Sequence, residues 1–380
     1  MSMFSPEDHQ FMSRALRLAR RGLYTTDPNP RVGCVLVRDN EVVGESWHER
    51  TGEAHAEVRA LACAGERARG ATCYVTLEPC CHQGRTPPCA RALIKAGIKR
   101  VVAAMEDPNP LVSGKGLEEL KAAGILTTVG LMAAETEALN PGFIKRMRFK
   151  RPYVRCKLAM SLDGRTAMAS GESNWITDAP ARIDVQRLRA RSSAMMMGIG
   201  TVLADDPRGT VRFADLAEEY PGGEAAVRQP LRVIVDPNLS LPQNARILSA
   251  PGRTLIVTVS NDDIEANLLR KRGAEIVRLP GSLDKVDLRA LMDFLGSWEI
   301  NEVLLETGAI LSGSMLQAGL IDELIIYVAP LILGDSARGL FHLLNLNHLS
   351  DAYRIEIRDL RAIGKDWRIE ATIQYSKKSV

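Results

Sequence analysis

Four residues concentrate the chemistry legible in this chain. His55, Cys80 and Cys89 offer one imidazole and two thiolates, and Glu57 stands two positions beyond the histidine. Three such ligands hold a zinc ion and leave its fourth tetrahedral position for water, the arrangement of a catalytic rather than a structural site. Zinc lowers the pKa of a bound water toward about 7, and a carboxylate beside it can take that proton and return it to a leaving amine. Glu57 is the expected catalytic residue, and one zinc per chain is the expected metal. His82 could instead close the coordination as a fourth ligand and make the site structural. Cys81 competes with Cys80, which is preferred because it directly follows Pro79.

These residues need elements to present them. Ser5, Pro6 and Asp8 read as a capping box opening a helix that stops at Gly22. Residues 32–37 and 41–48, joined at Asp39-Asn40, read as a hairpin. A helix over 54–69, a strand over 71–77, a helix over 88–96 and a strand over 100–104 follow, then 115–123, 125–129 and 131–139 in the same alternation. His55 and Glu57 thus open a helix, and Cys80 follows a strand. Pro141-Gly142 is expected to end the helical pattern, with the basic run 145–151 as a solvated linker and a domain boundary near 140–151.

Beyond it the alternation resumes over 153–159, 179–191, 194–197, 231–235, 254–259, 264–272, 302–306 and 310–318. The tail, 323–333, 353–360 and 367–375, reads as an antiparallel meander. Residues 214–228 read as a surface loop. The fold class is therefore α/β, in two domains without a repeat.

Composition narrows the function. Apolar residues make up 46% and charged residues 25% of 380, ordinary globular usage. Forty-nine Lys+Arg against 46 Asp+Glu leave a net charge of +3, too little for nucleic-acid binding without a local patch. No apolar run is long enough to span a membrane, and the first residues lack the pattern of a signal peptide, so a cytoplasmic protein with no membrane partner is expected. All seven cysteines lie within the first 156 residues, which suits a metal site rather than a disulfide framework. Cys34, Cys63, Cys73 and Cys156 are expected in the core.

H-A-E followed by P-C and a later cysteine is the signature of zinc-dependent nucleobase deaminases, in which the glutamate is not a ligand. PNPRVGCVLV (28–37), TLEPCCHQGRTPPC (76–89) and DPNP (107–110), together with HAE, resemble the deaminase half of the bifunctional riboflavin-biosynthesis deaminase/reductases. Eight residues separate Cys80 from Cys89, whereas tRNA and free-cytidine deaminases typically carry two. The resemblance implies that Asn29, His48, Arg85 and Asn109 line the substrate pocket, Arg85 meeting a phosphate. Alone, His48 reads as a surface histidine and the two asparagines as turn residues.

In the second half, KLAMSLDGR (157–165), GESNWIT (171–177), GIGTVLADDP (198–207) and ETGAILSG (306–313) resemble the reductase domain of the same family. The implied architecture is a cytidine-deaminase-like three-layer domain over 1–147 followed by a dihydrofolate-reductase-like domain over 148–380. No G-x-G-x-x-G follows a strand, which argues against a Rossmann site. A strand running into Gly308 and a helix near Ile310 nevertheless offers backbone N–H groups to a phosphate, with Thr307, Ser312 and Ser314 as added hydroxyls. The resemblance implies NADPH contacts from Ala159, Trp175, Thr201, Asp205 and the run Gly308, Ala309, Ile310, Leu311, Ser312, Gly313 and Ser314. It implies substrate contacts from Lys157, Ser173, Arg189, Arg212 and Glu306. Taken alone, Asp205-Asp206-Pro207 reads as a turn, and Arg189 with Arg191 as a solvated helix face. Serine or threonine near Gly308, or a basic residue after the 231–235 strand, are the alternatives for the cofactor's 2′-phosphate. Gly209 departs from the leucine usual in that family, so no side-chain contact is expected there. The substrate implied is a small pyrimidine ribosyl phosphate, and the assembly a homo-oligomer, dimer or tetramer.

Overall fold

A computed structural model describes residues 3–81, 88–172, 176–220, 223–344 and 346–375. The chain divides into two compact units, Met1–Lys150 and Arg151–Val380.

The first unit runs α1 Pro6–Arg20, β1 Gly33–Arg38, β2 Glu41–Trp47, α2 Ala56–Ala64, β3 Thr72–Val75, α3 Cys89–Lys95, β4 Arg100–Ala103, α4 Lys115–Ala122, β5 Leu126–Val129, α5 Ala133–Leu139 and α6 Pro141–Phe149. Its sheet has the order β2-β1-β3-β4-β5, antiparallel through β2, β1 and β3 and parallel from β3 to β5. Ser5 and Asp8 form the expected capping box on α1. Asp39 and Asn40 take φ of 51° and 63°, the twist a tight hairpin needs. One face of the sheet packs on Ala60, Leu93 and Leu120 from α2, α3 and α4, and the other on Phe11, Met12 and Ala15 of α1. This sheet between two helical layers leaves the ends of its parallel strands beside the starts of α2 and α3.

Three expectations change in this unit. The helix from 54 is shorter, because the chain tightens into a 3-10 turn from Gly65 to Ala68. Cys63 lies on the outer face of α2 and is exposed, whereas Cys34 and Cys73 are buried. Most of the basic run is helical rather than linker: Pro141 sits at the first helical position, where its missing N–H costs nothing. Phe143 and Ile144 bury that helix against Leu77 and Met105.

The second unit runs β6 Tyr153–Ser161, β7 Arg165–Ala167, α7 Ala179–Arg191, β8 Ala194–Gly198, α8 Ile199–Asp205, β9 Leu231–Val235, α9 Arg246–Ser249, β10 Thr254–Thr258, α10 Asp263–Lys271, β11 Ala274–Arg278, α11 Leu288–Ser297, β12 Glu302–Glu306, α12 Ala309–Gln317, β13 Glu323–Ala329, β14 Arg338–Gly339, β15 Arg354–Ile363 and β16 Asp366–Gln374. Nine strands form one sheet in the order β11-β10-β9-β8-β12-β6-β13-β16-β15. The strands from β11 to β13 are parallel and covered on both faces, which is why β9 and β10 are buried along their whole length and β8 along all but its last residue. Cys156 is buried among them.

The tail is not a meander. β16, the last strand, lies between β13 and β15, because its Ile369 and Ala371 extend the core face of β13 while β15 takes the edge. β11 and α11 escaped the sequence reading. Among its described residues the 214–228 segment has no helix or strand beyond short 3-10 turns, but Leu216 and Tyr220 bury it against the unit. Arg189 and Arg191 are not a solvated face, since they pair with Glu306 and Glu302. Among the described residues no helix is long and apolar enough to cross a membrane.

Candidate functional site

In the first unit His55 is the N-cap of α2, Cys89 opens α3, and Cys80 ends the turn leaving β3. Their ligand atoms lie within 4.8 Å of one another, with His55 Nδ1 3.3 Å from Cys89 Sγ and 3.6 Å from Cys80 Sγ. Cys81 stays outside this group. The Cys89 thiol, as hydrogen-bond donor, holds the Cys80 thiol down to about 4, and the same contact together with burial pushes Cys89 up. Cys80 also raises His55. Converging nitrogen and sulfur donors whose chief polar partners are one another fit a borderline-soft cation such as zinc.

Glu57 occupies the first turn of α2 and is buried, and that burial pushes its carboxyl up to about 7. A carboxyl poised near neutrality suits a group that must both accept and donate a proton. His48 is buried rather than on the surface. Its ring stands edge-on to His55 at 5.3 Å between centroids, and burial pushes it down to about 4. Its Nδ1 lies 3.3 Å from the Ala54 carbonyl and its Nε2 3.1 Å from Asn29 Nδ2. The neutral tautomer carrying its proton on Nδ1 satisfies both contacts. Asn140, at the junction of α5 and α6, accepts from Arg31 N and donates to Arg31 O, pinning the loop that carries Asn29.

Asn109 makes a local turn, accepting from Leu111 N at 3.1 Å. The structure sets His48 against the metal ligand His55 with Asn29 bonded to His48, and places Asn109 in a loop anchored beside the Cys80 turn by Glu78, a residue the sequence reading missed. Its signal was an acid two positions before a ligand in L-E-P-C. Arg85 and His82 lie outside the described residues.

In the second unit the candidate residues gather at the carboxyl ends of parallel strands. Lys157 on β6 and Glu306 on β12 are register partners, and Arg189 grips Glu306 in a two-pronged pair of 2.6 and 2.9 Å. Burial opposes ionisation of Glu306, but the Arg189 charge and hydrogen bonds outweigh it and hold the carboxyl below its usual range. Burial likewise pushes Lys157 down, against the pull of Glu306. Arg212, on the loop after α8, is exposed and pairs with Asp215 at 2.6 Å.

Thr201 accepts from Gly308 N at 3.2 Å, and Thr307 accepts from Gly198 N at 3.1 Å. These contacts close the crevice between the starts of α8 and α12. Ala159 is half-buried on β6, and Asp205 ends α8 with its carboxyl pushed up by burial. An added Cβ on Gly308 would have only Thr201 Oγ1 nearby, at 4.0 Å, and Ile310 is 74% exposed. Open space at a helix start, with N–H groups that lack intrahelical acceptors, fits a phosphate-bearing cofactor. Ala309 and Leu311 share that first turn. Ser312 and Gly313 are buried, and the Ser312 hydroxyl is committed to the Gly308 and Ala309 carbonyls, which corrects the expected hydroxyl contact. Ser314 likewise donates to Ile310 O. Ser173 and Trp175 lie outside the described residues.

Gly209 takes φ +60°, and an added Cβ would stand 2.7 Å from Met195 Cε and 3.0 Å from Arg232 Cδ. Backbone conformation and space both favour glycine there.

Comparison with known proteins agrees with this geometry in both units. Residues 5–105 match the cytidine and deoxycytidylate deaminase zinc-binding region, and residues 152–369 match the RibD C-terminal domain. The riboflavin biosynthesis protein RibD of Escherichia coli is 51% identical over 95% of this chain and 98% of its own length. That of Haemophilus influenzae is 50% identical over 98% of this chain and 99% of its own. The chain belongs to the RibD family.

Among solved structures, Acinetobacter baumannii RibD superposes with a TM-score of 0.90 at 45% identity, covering 97% of this chain and 99% of that one. The diaminohydroxyphosphoribosylaminopyrimidine deaminase/5-amino-6-(5-phosphoribosylamino)uracil reductase of Thermotoga maritima does so with 0.83 at 32% identity, covering 97% and 99%. This RibD-family chain is therefore a bifunctional enzyme of riboflavin biosynthesis, with a zinc-binding deaminase region followed by a reductase domain. The expected cytidine-deaminase-like and dihydrofolate-reductase-like α/β architecture is borne out.

Proposed function

We propose that residues 1–147 deaminate 2,5-diamino-6-ribosylamino-4(3H)-pyrimidinone 5′-phosphate and that residues 148–380 reduce the product's ribosyl group to ribityl. The observation that carries the first half is the convergence of His55, Cys80 and Cys89 beside a buried Glu57. His55, Cys80 and Cys89 hold the metal, and zinc, when bound, supplies the Lewis acidity that makes water nucleophilic near neutral pH. Glu57 accepts the proton that water gives up as it adds to the ring carbon bearing the 2-amino group. Glu57 returns that proton to ring nitrogen, then takes a second from the added hydroxyl as the carbonyl forms and passes it to the departing amine, so water is consumed and ammonia released. Neutral His48 and Asn29, fixed to each other, orient the ring, while Asn109 and Arg85 bind polar and phosphate groups of the substrate.

In the second half, NADPH supplies the hydride when bound. The crevice of Thr201 and the Gly308–Leu311 turn binds its phosphates, while Asp205, Ala159 and Trp175 contact its other parts. Lys157, Ser173, Arg189, Arg212 and Glu306 hold the ring-opened sugar so that its C1 carbon meets the hydride and a proton completes the reduction.

A homo-oligomer fits an exposed apolar sheet face. Ile355, Ile357 and Leu360 of edge strand β15, with Trp367 of β16, are 47–55% exposed and continue the face that buries Ala371. A cytoplasmic location fits free cysteines beside a thiolate metal site. The test is direct: zinc-loaded protein should release ammonia from the pyrimidine phosphate, and NADPH oxidation should then follow. Ammonia release without zinc would overturn the reading.

A further inference from the structure

Glu78 takes no part in the chemistry above, yet its carboxylate is buried, 3% exposed, and accepts four backbone hydrogen bonds. Oε1 accepts from Gly116 N at 2.9 Å and Leu117 N at 3.3 Å, in the first turn of α4. Oε2 accepts from Asp107 N at 3.0 Å and Gly114 N at 2.9 Å, at the two ends of the loop that carries Asn109. Asp107 Oδ1 in turn accepts from Asn109 N at 2.8 Å. On the other side Glu78 N donates to Met105 O at 3.0 Å, and Pro79 and Cys80 follow at once. An added Cβ on Gly116 would stand 2.0 Å from the Pro79 carbonyl oxygen, so α4 rests directly on the turn that presents the metal ligand.

Capping α4 requires only the contacts to its first turn. The two bonds from Oε2 reach beyond the cap to both ends of the 107–114 loop. An ionised acceptor makes each of the four bonds stronger than a neutral one would, and replacing it leaves buried N–H groups unsatisfied. We propose that Glu78 is a positioning residue of the deaminase site, whose carboxylate ties the Cys80 turn to the 107–114 loop and thereby sets Asn109 against the substrate. This rests on the reading of Asn109 as a substrate contact.

The experiment uses the zinc-loaded full-length chain carrying Glu78→Gln, which keeps the shape but turns one oxygen into a donor facing two N–H donors. The deaminase KM should rise about tenfold or more while kcat changes little. Zinc should stay at one per chain, and the reductase activity should be unchanged. Asn109→Ala should raise KM by itself, and the double variant should show less than the product of the two effects, because Glu78 acts through Asn109. An Asn109→Ala chain with unaltered KM would sink the substrate-contact reading. An Asn109→Ala chain with raised KM beside a Glu78→Gln chain with normal KM, or with lost zinc, would overturn the positioning role alone. If Glu78→Gln does not fold, Glu78→Asp, which keeps the charge but falls short of the loop, gives the same KM measurement with the same two outcomes.

Discussion

The two sites of this enzyme handle buried charge in opposite ways. In the first unit His55, Cys80 and Cys89 converge with one another as their chief polar partners, and Glu57 beside them is raised toward neutrality by burial. In the second unit Glu306 is already neutralised by the two-pronged grip of Arg189, with Lys157 alongside. The first site is completed by a cation it must acquire, whereas the second is balanced within the chain. Loss of a ligand should therefore abolish one activity cleanly, while loss of a charge partner in the other unit should also affect its stability.

Cys89→Ser should break the contrast most sharply. Zinc content and ammonia release should both fall to background, while reduction of supplied deaminated substrate by NADPH continues, because each unit buries its own core. Metal analysis and the two assays on one preparation check this, and collapse of reductase activity in a folded protein would show the sites to be interdependent. Glu57→Gln should lower deamination by about 10²–10⁴-fold with zinc retained, since the amide cannot carry the proton. Lost metal in that variant would make Glu57 a ligand.

In the second unit Arg189→Met should leave the half-buried Glu306 with only Lys157 to balance it, destabilising the fold by about 1–3 kcal/mol in urea titration. The pH dependence has a defined sign. The Glu306 carboxyl is held below its usual range, so its stabilising contribution is present above the ordinary carboxylate pKa and lost as pH falls through the lowered value. The variant should lose that acid-side dependence, and an unchanged profile would place the charge balance elsewhere. The smallest effect expected is cofactor preference: a charge-assisted phosphate contact of about 1.5–3 kcal/mol predicts NADPH over NADH by roughly ten-fold to more than a hundred-fold in kcat/KM. Equal use of both would remove the 2′-phosphate contact while leaving hydride transfer intact.

The metal ligands, Glu57, the capping box and the hairpin turn were legible because each is written in a few adjacent residues with their own chemistry. The α6 helix was misread because Pro141 marks a helix start as readily as a stop, and only the burial of Phe143 and Ile144 decides between them. Cys63 was misplaced because the outward face of α2 depends on where the sheet lies. Arg189 could be read equally as a solvated residue or a ligand, since nothing local announces its pairing with β12.

The sequence by itself determined the class of both domains, the candidate ligand set, the acid that stands beside it and the strand-to-helix turn at Gly308, all properties of side-chain type and short-range spacing. Tertiary structure alone decided that β16 inserts between β13 and β15, that His48 is buried and neutral, that Ser312 faces inward, and that Glu78 ties the ligand turn to the Asn109 loop. Each of these turns on which segments meet across the sheet or the core. Burial and long-range pairing belong to those encounters, and a one-dimensional pattern of residue types leaves several arrangements equally well satisfied until packing selects one.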